Sequence, residues 1–435
     1  MMDLQTLKET IAAEIEKTKL PYDKGLEKVP FLVPNGECFE AIDLGNNKEL
    51  YLFPEEGQKT FLFRGQTKEF IPCFPTIYRG NPSPIDIFIN RMRLVQFERL
   101  LKTHPVVNVF FNKHHFHVDI EGLAQHYGLR TSVLDLTSSL DVALFFAMCP
   151  YDIKTDTYTC YNDGKEHNGI IYVFNAAYDN DVCPTFTEEQ LFQKIQPIGF
   201  QAFARPGMQR GYGIHIKEGE SIKCYLYRFR FTCDDSKAYL NHYQNGEKLW
   251  VKDELVEKAK LIATQTEFSF NLFGETFKKF RPKGFSRNKL KAELSRLIKL
   301  SSDCKDLEFS EDERKAIVDS WNRNQAQNAA THIVRRRWFK DGNDNDNFTH
   351  GPGYKPQIEE DHKYFTPEII SRINLLKTVA HVDPPLNAEW VNYMKTPDEH
   401  RIPKKYLDEG WKKVPSCYYD VKGKPWLTLE ECRID

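Results

Sequence analysis

The sequence has no apolar run approaching the roughly 18 residues that cross a bilayer, so an integral helical membrane protein is excluded. Its 10 cysteines stand at positions 38, 73, 149, 160, 183, 224, 233, 304, 417 and 432, and none forms a Cys-x-x-Cys pair. A zinc ribbon or thioredoxin-type site therefore has no support. Charge of one sign is also lacking. Lys plus Arg number 60 against 62 for Asp plus Glu, a formal net charge of −2, which excludes a surface built throughout to hold nucleic acid. There is no fixed-period repeat, and the N-terminal MMDLQTLKETIAAEIEKTKL lacks the apolar core and cleavage site of a signal peptide. These absences predict a soluble cytoplasmic protein with reduced, mostly buried thiols, no membrane partner and no bound metal.

The chain is 435 residues long with 31 Phe and 20 Tyr. It is long enough for two or three domains and for a large core without disulfides, and its aromatic content argues against disorder. Leu4, Leu7, Ile11 and Ile15 predict a short helix over 1–19. Residues 20–60 read as strands and turns, with apolar runs at 31–33 and 50–53. Thr60-Phe61-Leu62-Phe63 predicts a strand that stops at Arg64-Gly65-Gln66. A Pro-rich loop over 71–84 precedes helical patterns over 85–102 and 119–128, the second closed by Gly128. Thr137-Ser138-Ser139 caps an apolar helix over 142–148.

Residues 169–174 form the clearest buried strand, 187–195 a small helix, 196–213 a loop punctuated by Pro and Gly, and 221–231 an alternating strand. Helical patterns follow over 248–261, 287–300 and 310–339, the last opened by a Ser310–Glu313 capping box. The run Asp341–Asn347 with Gly351-Pro352-Gly353 reads as a linker. The fold class is therefore α+β, a mixed sheet core with flanking helices over 20–240. A helical region over 241–340, a linker over 341–354 and a small C-terminal region over 355–435 follow.

Two segments concentrate the chemistry: Phe63-Arg64-Gly65-Gln66, and Leu123 to Ala147, which contains Gln125-His126-Tyr127-Gly128-Leu129-Arg130-Thr131-Ser132-Val133-Leu134-Asp135-Leu136-Thr137. His126 is a base for work near pH 7 and Asp135 a carboxylate to orient it. The plain alternative is that His126 and Asp135 only hold the loop between helix and strand, with Arg64 ion-paired to Asp135. Unpaired buried polar groups cost roughly 1–3 kcal/mol each. So many in one stretch imply a ligand or a dense internal network.

The pair of segments resembles the FRG domain family, named for its Phe-Arg-Gly signature, whose second motif has the form LxQHYGLPTRLLDWTxxxxxALxFA. Here Arg130, Ser132 and Leu136 replace the usual Pro, Arg and Trp. A third element, Arg-x-x-x-Gln-x-Gly, appears as Arg205 to Gly211 with Gln209 inside it. A strand-end Arg-Gly followed by a Thr/Ser cluster before an Ala-rich helix also resembles mono-ADP-ribosyltransferases.

That second resemblance implies an ADP-ribosyltransferase-like cleft that takes NAD as substrate, in a toxin or defence factor with a protein or nucleic-acid acceptor. Arg64 would grip the pyrophosphate, where a planar fork suits a dianion. Gly65 would let its backbone approach nicotinamide. Gln66, Gln125, Tyr127, Thr137, Ser138 and Ser139 would line the site, with the register of the Ser-Thr-Ser element open between 135–137 and 137–139. The acidic residue that such enzymes carry on a late strand, often as Gln-x-Glu, has no clean counterpart; Gln209 and Glu220 are the candidates.

A second reading is a nucleic-acid-directed hydrolase or nuclease using His126 and Asp135. The basic cluster Arg335, Arg336, Arg337 and Trp338, expected at a helix end, would then contact the phosphate backbone. A third is a non-catalytic binding module. His114-His115-Phe116-His117 has no metal-ligand spacing and reads as a solvated loop.

Overall fold

The computed structural model describes residues 1–18, 39–43, 50–54, 61–70, 73–152, 155–175, 195–199, 201–220, 224–334, 336–338, 417–419 and 427–435. The fold is α+β. A seven-stranded mixed sheet is built from β1 (Met2–Asp3), β4 (Phe61–Gln66), β5 (Val133–Thr137), β8 (His167–Asn175), β9 (Ile195–Pro197), β10 (Gly211–His215) and β11 (Tyr225–Phe231), in the order β1-β11-β8-β4-β5-β10-β9. β2 (Phe39–Asp43) and β3 (Leu50–Pro54) belong to a separate three-stranded sheet, and β6 (Tyr151–Asp152) pairs with β7 (Thr157–Tyr158).

The large sheet is nearly two sheets. β4 is paired with β8 along its whole length, from Phe61↔Asn175 to Gln66↔Ile170. β5 is likewise paired with β10, from Val133↔His215 to Thr137↔Gly211. Between the halves, β4 and β5 meet at one pair, Phe63↔Thr137. Beyond it the strands part, with Arg64 and Gln66 on one side and Asp135 on the other.

Both faces are covered because both are apolar. Phe61 and Phe63 point toward helices α1 (Leu4–Thr18) and α4 (Leu140–Met148), into a cluster with Leu7, Ile11, Ala143 and Ala147. The alternating residue Leu62 points the other way, to Cys73, Leu134, Leu136, Tyr172 and Ile214. α4 lies directly on β4: a Cβ added at Gly65 would stand 1.6 Å from the main-chain oxygen of Ala143. The glycine of the Phe-Arg-Gly signature is thus required by this helix–strand contact.

The largest apolar cluster joins distant parts of the chain. It contains Phe97 of α2 (Pro84–Lys102), Leu123 of α3 (Ile120–His126), Leu255 and Ile262 of a later helix (Leu255–Thr264), Trp321, and Leu427, Cys432 and Ile434 from the last described residues. Trp321 Nε1 donates to the Cys432 oxygen at 2.7 Å, and Asn322 exchanges bonds with Ile434. The helix Leu255–Thr264 and the segment around Trp321 therefore share one core with the motif-bearing segment, while Leu272, Phe273, Leu290 and Leu294 pack on α2 in a second cluster.

Several expectations are corrected. The stretch 196–213 is not a loop; it holds part of β9, a short helix (α5, Ala204–Met208) and the start of β10. Its glycines imitate turn punctuation but are demanded by packing, since a Cβ at Gly213 would lie 2.7 Å from Val133 Cγ1. The pattern over 287–300 ends as helix at Leu294, and Lys299–Ser301 pairs as a strand with Glu267–Ser269. The helix expected to run through 339 stops at His332, and Arg336–Trp338 pairs with Cys417–Tyr419, so that part of the basic cluster is strand. His114 is only partly solvated: it is half-buried, its ring edges onto Phe110 and its Nε2 meets the Glu431 oxygen at 3.1 Å, while His115 is exposed. Of the described free cysteines, Cys73, Cys149 and Cys432 are buried and Cys160, Cys224, Cys233 and Cys304 are half-buried, so mostly buried thiols is too strong. The expected strand at 31–33, the helix over 187–195, Arg335 and the linker lie outside the described residues. Among the described residues no helix is long and apolar enough to cross a membrane.

Candidate functional site in the split of the sheet

Arg64 bridges the gap where β4 and β5 part. Its Nη1 donates to the main-chain oxygen of Asp135 at 2.8 Å and to the Asp135 carboxylate in a short contact. The Arg64 side chain is 10 % exposed, whereas that of Asp135 is 39 % exposed, so the pair opens to solvent on the carboxylate side. Nη1 makes both bonds, and Arg64 Nε is buried with no hydrogen-bond partner among the described residues. The Nε edge of the guanidinium is thus closed to solvent and unbonded among those residues.

A second guanidinium stands close by. Arg79 follows a short 3-10 turn (Thr76–Tyr78), donates from Nε to the Phe74 oxygen at 2.9 Å and lies over the Phe70 ring. Burial and the like charge of Arg64 hold its pKa below the ordinary arginine value. Cys73 sits between these groups; burial pushes its thiol up, against the pull of Arg64 and Arg79. Arg79 does not stand out in the sequence, where its only signal is a cation within a Pro-rich loop.

His126 ends α3 and is 6 % exposed. Neither ring nitrogen has a hydrogen-bond partner of normal geometry among the described residues. Burial lowers its pKa, while neighbouring Asp135 and Gln209 act the other way; the net result is a neutral imidazole near pH 7. Burial alone would raise Asp135, but the charge and hydrogen bond of Arg64 outweigh it and hold the carboxyl below the usual range. The Asp135 carboxylate thus lies between a guanidinium and an imidazole.

The imidazole occupies a space that glycine provides. A Cβ at Gly211 would stand 3.0 Å from His126 Cε1 and Nε2. Arg205 holds the chain at the same point: buried to 2 % exposure, it donates to the His126 oxygen at 3.1 Å and to the Val251 oxygen at 2.7 and 3.1 Å. Its guanidinium also lies 4.4 Å from the Tyr127 ring centre and 4.3 Å from that of Trp250. Arg205, Gln209 and Gly211 of the third motif thus position His126 and the start of β10.

The other residues picked out by sequence divide into two groups. Ser138 is 2 % exposed; its backbone N–H bonds the Arg210 oxygen and its hydroxyl has no partner among the described residues. Gln66, two places along β4 from Arg64, likewise carries a buried Oε1 without a partner. Arg64 and Asp135 meet across the split, Gln66 and Ser138 lie along the chain on either side of it, and Gln209, a neighbour of His126, donates to the Leu249 oxygen at 2.7 Å.

The remainder are taken up internally. Thr137 Oγ1 accepts from Ser139 N, and Ser139 Oγ caps α4 at Val142 N. Gln125 Oε1 accepts from Thr76 and Thr131 hydroxyls at 2.9 and 2.8 Å, fixing the 73–79 loop to the start of β5. Tyr127 donates to Asp253 inside the main core. Glu220 lies past the His215 end of β10, away from the Thr137 end, and its carboxylate accepts from Lys217 N at 3.1 Å.

A second polar network lies beneath β10. Buried Asp119 caps α3 through Gly122 N and meets His215 Nε2 at 3.2 Å. Glu121 accepts from Arg91 at 2.7 Å and from Ser132 N at 2.7 Å. It is fully bonded and braces β5 and β10 from the α3 side.

In comparisons with known proteins, the family model for the FRG domain matches residues 59–156. That span runs from β4 through α4 and contains Arg64, Arg79, His126, Asp135 and Ser138. The chain therefore contains an FRG domain. No curated protein and no solved structure matches the chain.

Proposed function

We propose that the split between β4 and β5 is a nucleotide-binding cleft, with NAD as the leading ligand, and that it supports ADP-ribosyltransferase-like glycosyl transfer. The observation that carries the reading is the set of buried polar atoms left without partners around the split: Arg64 Nε, Gln66 Oε1, both His126 nitrogens and Ser138 Oγ. Each would cost roughly 1–3 kcal/mol if nothing ever bonded it. In this reading a ligand with an anionic diphosphate and several hydroxyl and amide groups bonds those that turn toward the split as the strands part. Arg64 and Arg79 supply the positive charge for the diphosphate.

The late-strand position bears on the chemistry. Where the resembling enzymes carry Gln-x-Glu, this chain has Gln209-Arg210-Gly211 at the head of β10, and the His126 imidazole fills the room over Gly211. In this reading His126 takes the role of base. The bond between the ribose carbon and the nicotinamide nitrogen breaks, and its electron pair leaves with nicotinamide. An acceptor hydroxyl attacks the same carbon and its proton passes to His126. Asp135 supplies negative charge near the developing cation. The acceptor, whether water, protein or nucleic acid, is set by surfaces outside this cleft.

The test is direct. Full-length protein is incubated with NAD labelled in the ADP-ribose part and in nicotinamide, with and without cell lysate, and binding is followed by calorimetry. Wild type is expected to bind NAD and release nicotinamide. Arg64→Lys, which keeps the charge and loses the planar fork, is expected to lose at least tenfold in affinity. Equal binding by both proteins would remove Arg64 from the proposal. Binding without nicotinamide release would reduce the cleft to a binding module. Strongly salt-dependent RNA or DNA binding without any NAD effect would favour the nuclease reading of the same His126–Asp135 pair.

A further inference from the structure

Where β8 begins and β11 ends, three donors from two distant segments converge. Asp163 and His167 lie at the turn that opens β8, and Cys233 is the first residue of the helix Cys233–His242 that follows β11. One ligand atom of each lies within 4.8 Å of the others. His167 Nε2 is 2.8 Å from Asp163 Oδ1 and Cys233 Sγ is 3.6 Å from the same oxygen. Lys165 N also donates to that oxygen at 3.1 Å. A single carboxylate oxygen thus gathers an imidazole, a thiol and an amide.

We propose that Asp163, His167 and Cys233 form a binding site for a divalent transition-metal cation of the zinc class. The distances fit that ion. Zinc bonds of about 2.0–2.1 Å to N and O and about 2.3 Å to S, arranged tetrahedrally, put N and O roughly 3.3 Å apart and O and S roughly 3.5 Å apart. The observed 2.8 and 3.6 Å are within about half an ångström of those edges, a change small side-chain rotations supply.

The donor set is also the borderline mixture of thiolate, imidazole and carboxylate that favours zinc over calcium or magnesium. The groups are oriented in advance: His167 stacks on Tyr161 with ring centres 3.8 Å apart, and Cys233 is fixed as the first residue of a helix. On binding, the thiol proton leaves to solvent, the imidazole proton moves from Nε2 to Nδ1 by exchange with water so that Nε2 offers its lone pair, and the hydrogen bonds from His167 and Cys233 to Asp163 are replaced by bonds to the cation. The Asp163 side chain is 46 % exposed, so the fourth corner faces water.

The site would tie the 159–167 segment to the helix Cys233–His242. That contact already has one hydrogen bond, from Tyr161 N to Ser236 Oγ at 3.3 Å. The site is independent of the nucleotide reading, since none of its residues lines the β4–β5 split.

The experiment uses the full-length chain, stripped with chelator and titrated with Zn2+ and separately with Co2+. One ion per chain is expected, with a near-ultraviolet thiolate-to-cobalt band and a rise in melting temperature. Cys233→Ser should abolish the band, and Asp163→Asn should weaken zinc binding by at least tenfold. Circular dichroism of each variant without metal confirms that it is folded. A band that survives in Cys233→Ser assigns the metal to another cysteine and overturns the proposal. Absence of stoichiometric binding by the wild type, or zinc affinity unchanged in folded Asp163→Asn, overturns it equally.

Discussion

His126 and Gly211 form a matched pair: the imidazole lies where the side chain of residue 211 would begin, with a Cβ there only 3.0 Å from Cε1 and Nε2 and 3.2 Å from the Pro206 oxygen. Gly211→Ala should therefore cost about 1–3 kcal/mol, as overpacking does. In a His126→Ala background the same change should cost less than half as much. Urea unfolding of the four proteins gives the coupling. Equal penalties in both backgrounds would place the strain on Pro206 and dissolve the pairing.

Gly65 offers a harsher contact. A methyl group 1.6 Å from the Ala143 oxygen meets main chain on both sides, which cannot rotate away. Gly65→Ala is expected to destabilise by more than about 3 kcal/mol, beyond the usual overpacking range. Thermal unfolding checks it, and a melting temperature equal to wild type would show that α4 can shift off β4 freely.

Asp135 and a ligand anion compete for Arg64. Asp135→Asn removes the ion pair; the carboxylate is 39 % exposed, but Arg64 at 10 % is left buried without its counter-charge, so the loss of stability should be about 1–3 kcal/mol. Affinity for NAD, measured by calorimetry, should rise as the guanidinium is released. A fall in affinity would instead make Asp135 a direct ligand contact.

The Asp119–His215 pair gives a pH signature. Burial disfavours the charged imidazole, but Asp119 and Glu121 outweigh it and His215 is raised above its ordinary value. Folding therefore gains from the proton fully below the unfolded value of about 6.5 and loses that gain as pH rises through the raised folded value. Asp119 is lowered by His215 and the Gly122 amide despite burial. Its contribution holds above about 3.9 and fades as pH falls through its lowered value. Urea midpoints should thus decline as pH rises above about 6.5, and His215→Gln should flatten that decline. An unchanged slope in the variant would exclude His215 as the titrating group.

The motif segments were legible because their chemistry is local. Arg64 at the end of a β-rich run, the Ser139 cap of α4 and positive-φ Gly128 after α3 each follow from a few neighbouring residues. The gathering of Arg64, His126 and Asp135 was legible only as a hypothesis, since it depends on two half-sheets meeting at one pair. β10 was missed because Gly211 and Gly213 read as turn residues, whereas tight packing against His126 and Val133 requires them. Gln125 and Tyr127 looked like cleft residues because they are polar beside apolar neighbours. Their partners Thr76 and Asp253 lie 49 and 126 positions away, beyond any window of sequence pattern. Arg205 stood in a recognised motif, but its burial between Tyr127 and Trp250 depends on a chain segment with no motif at all.

The lone rung between Phe63 and Thr137 has a mechanical consequence. Two stiff plates joined at one point can tilt about it while every other rung stays intact, so a molecule wedged beside Arg64 and Asp135 acts as a strut. Slowed amide exchange at the rims of the seam would then report occupancy from the protein side, whatever the identity of the occupant.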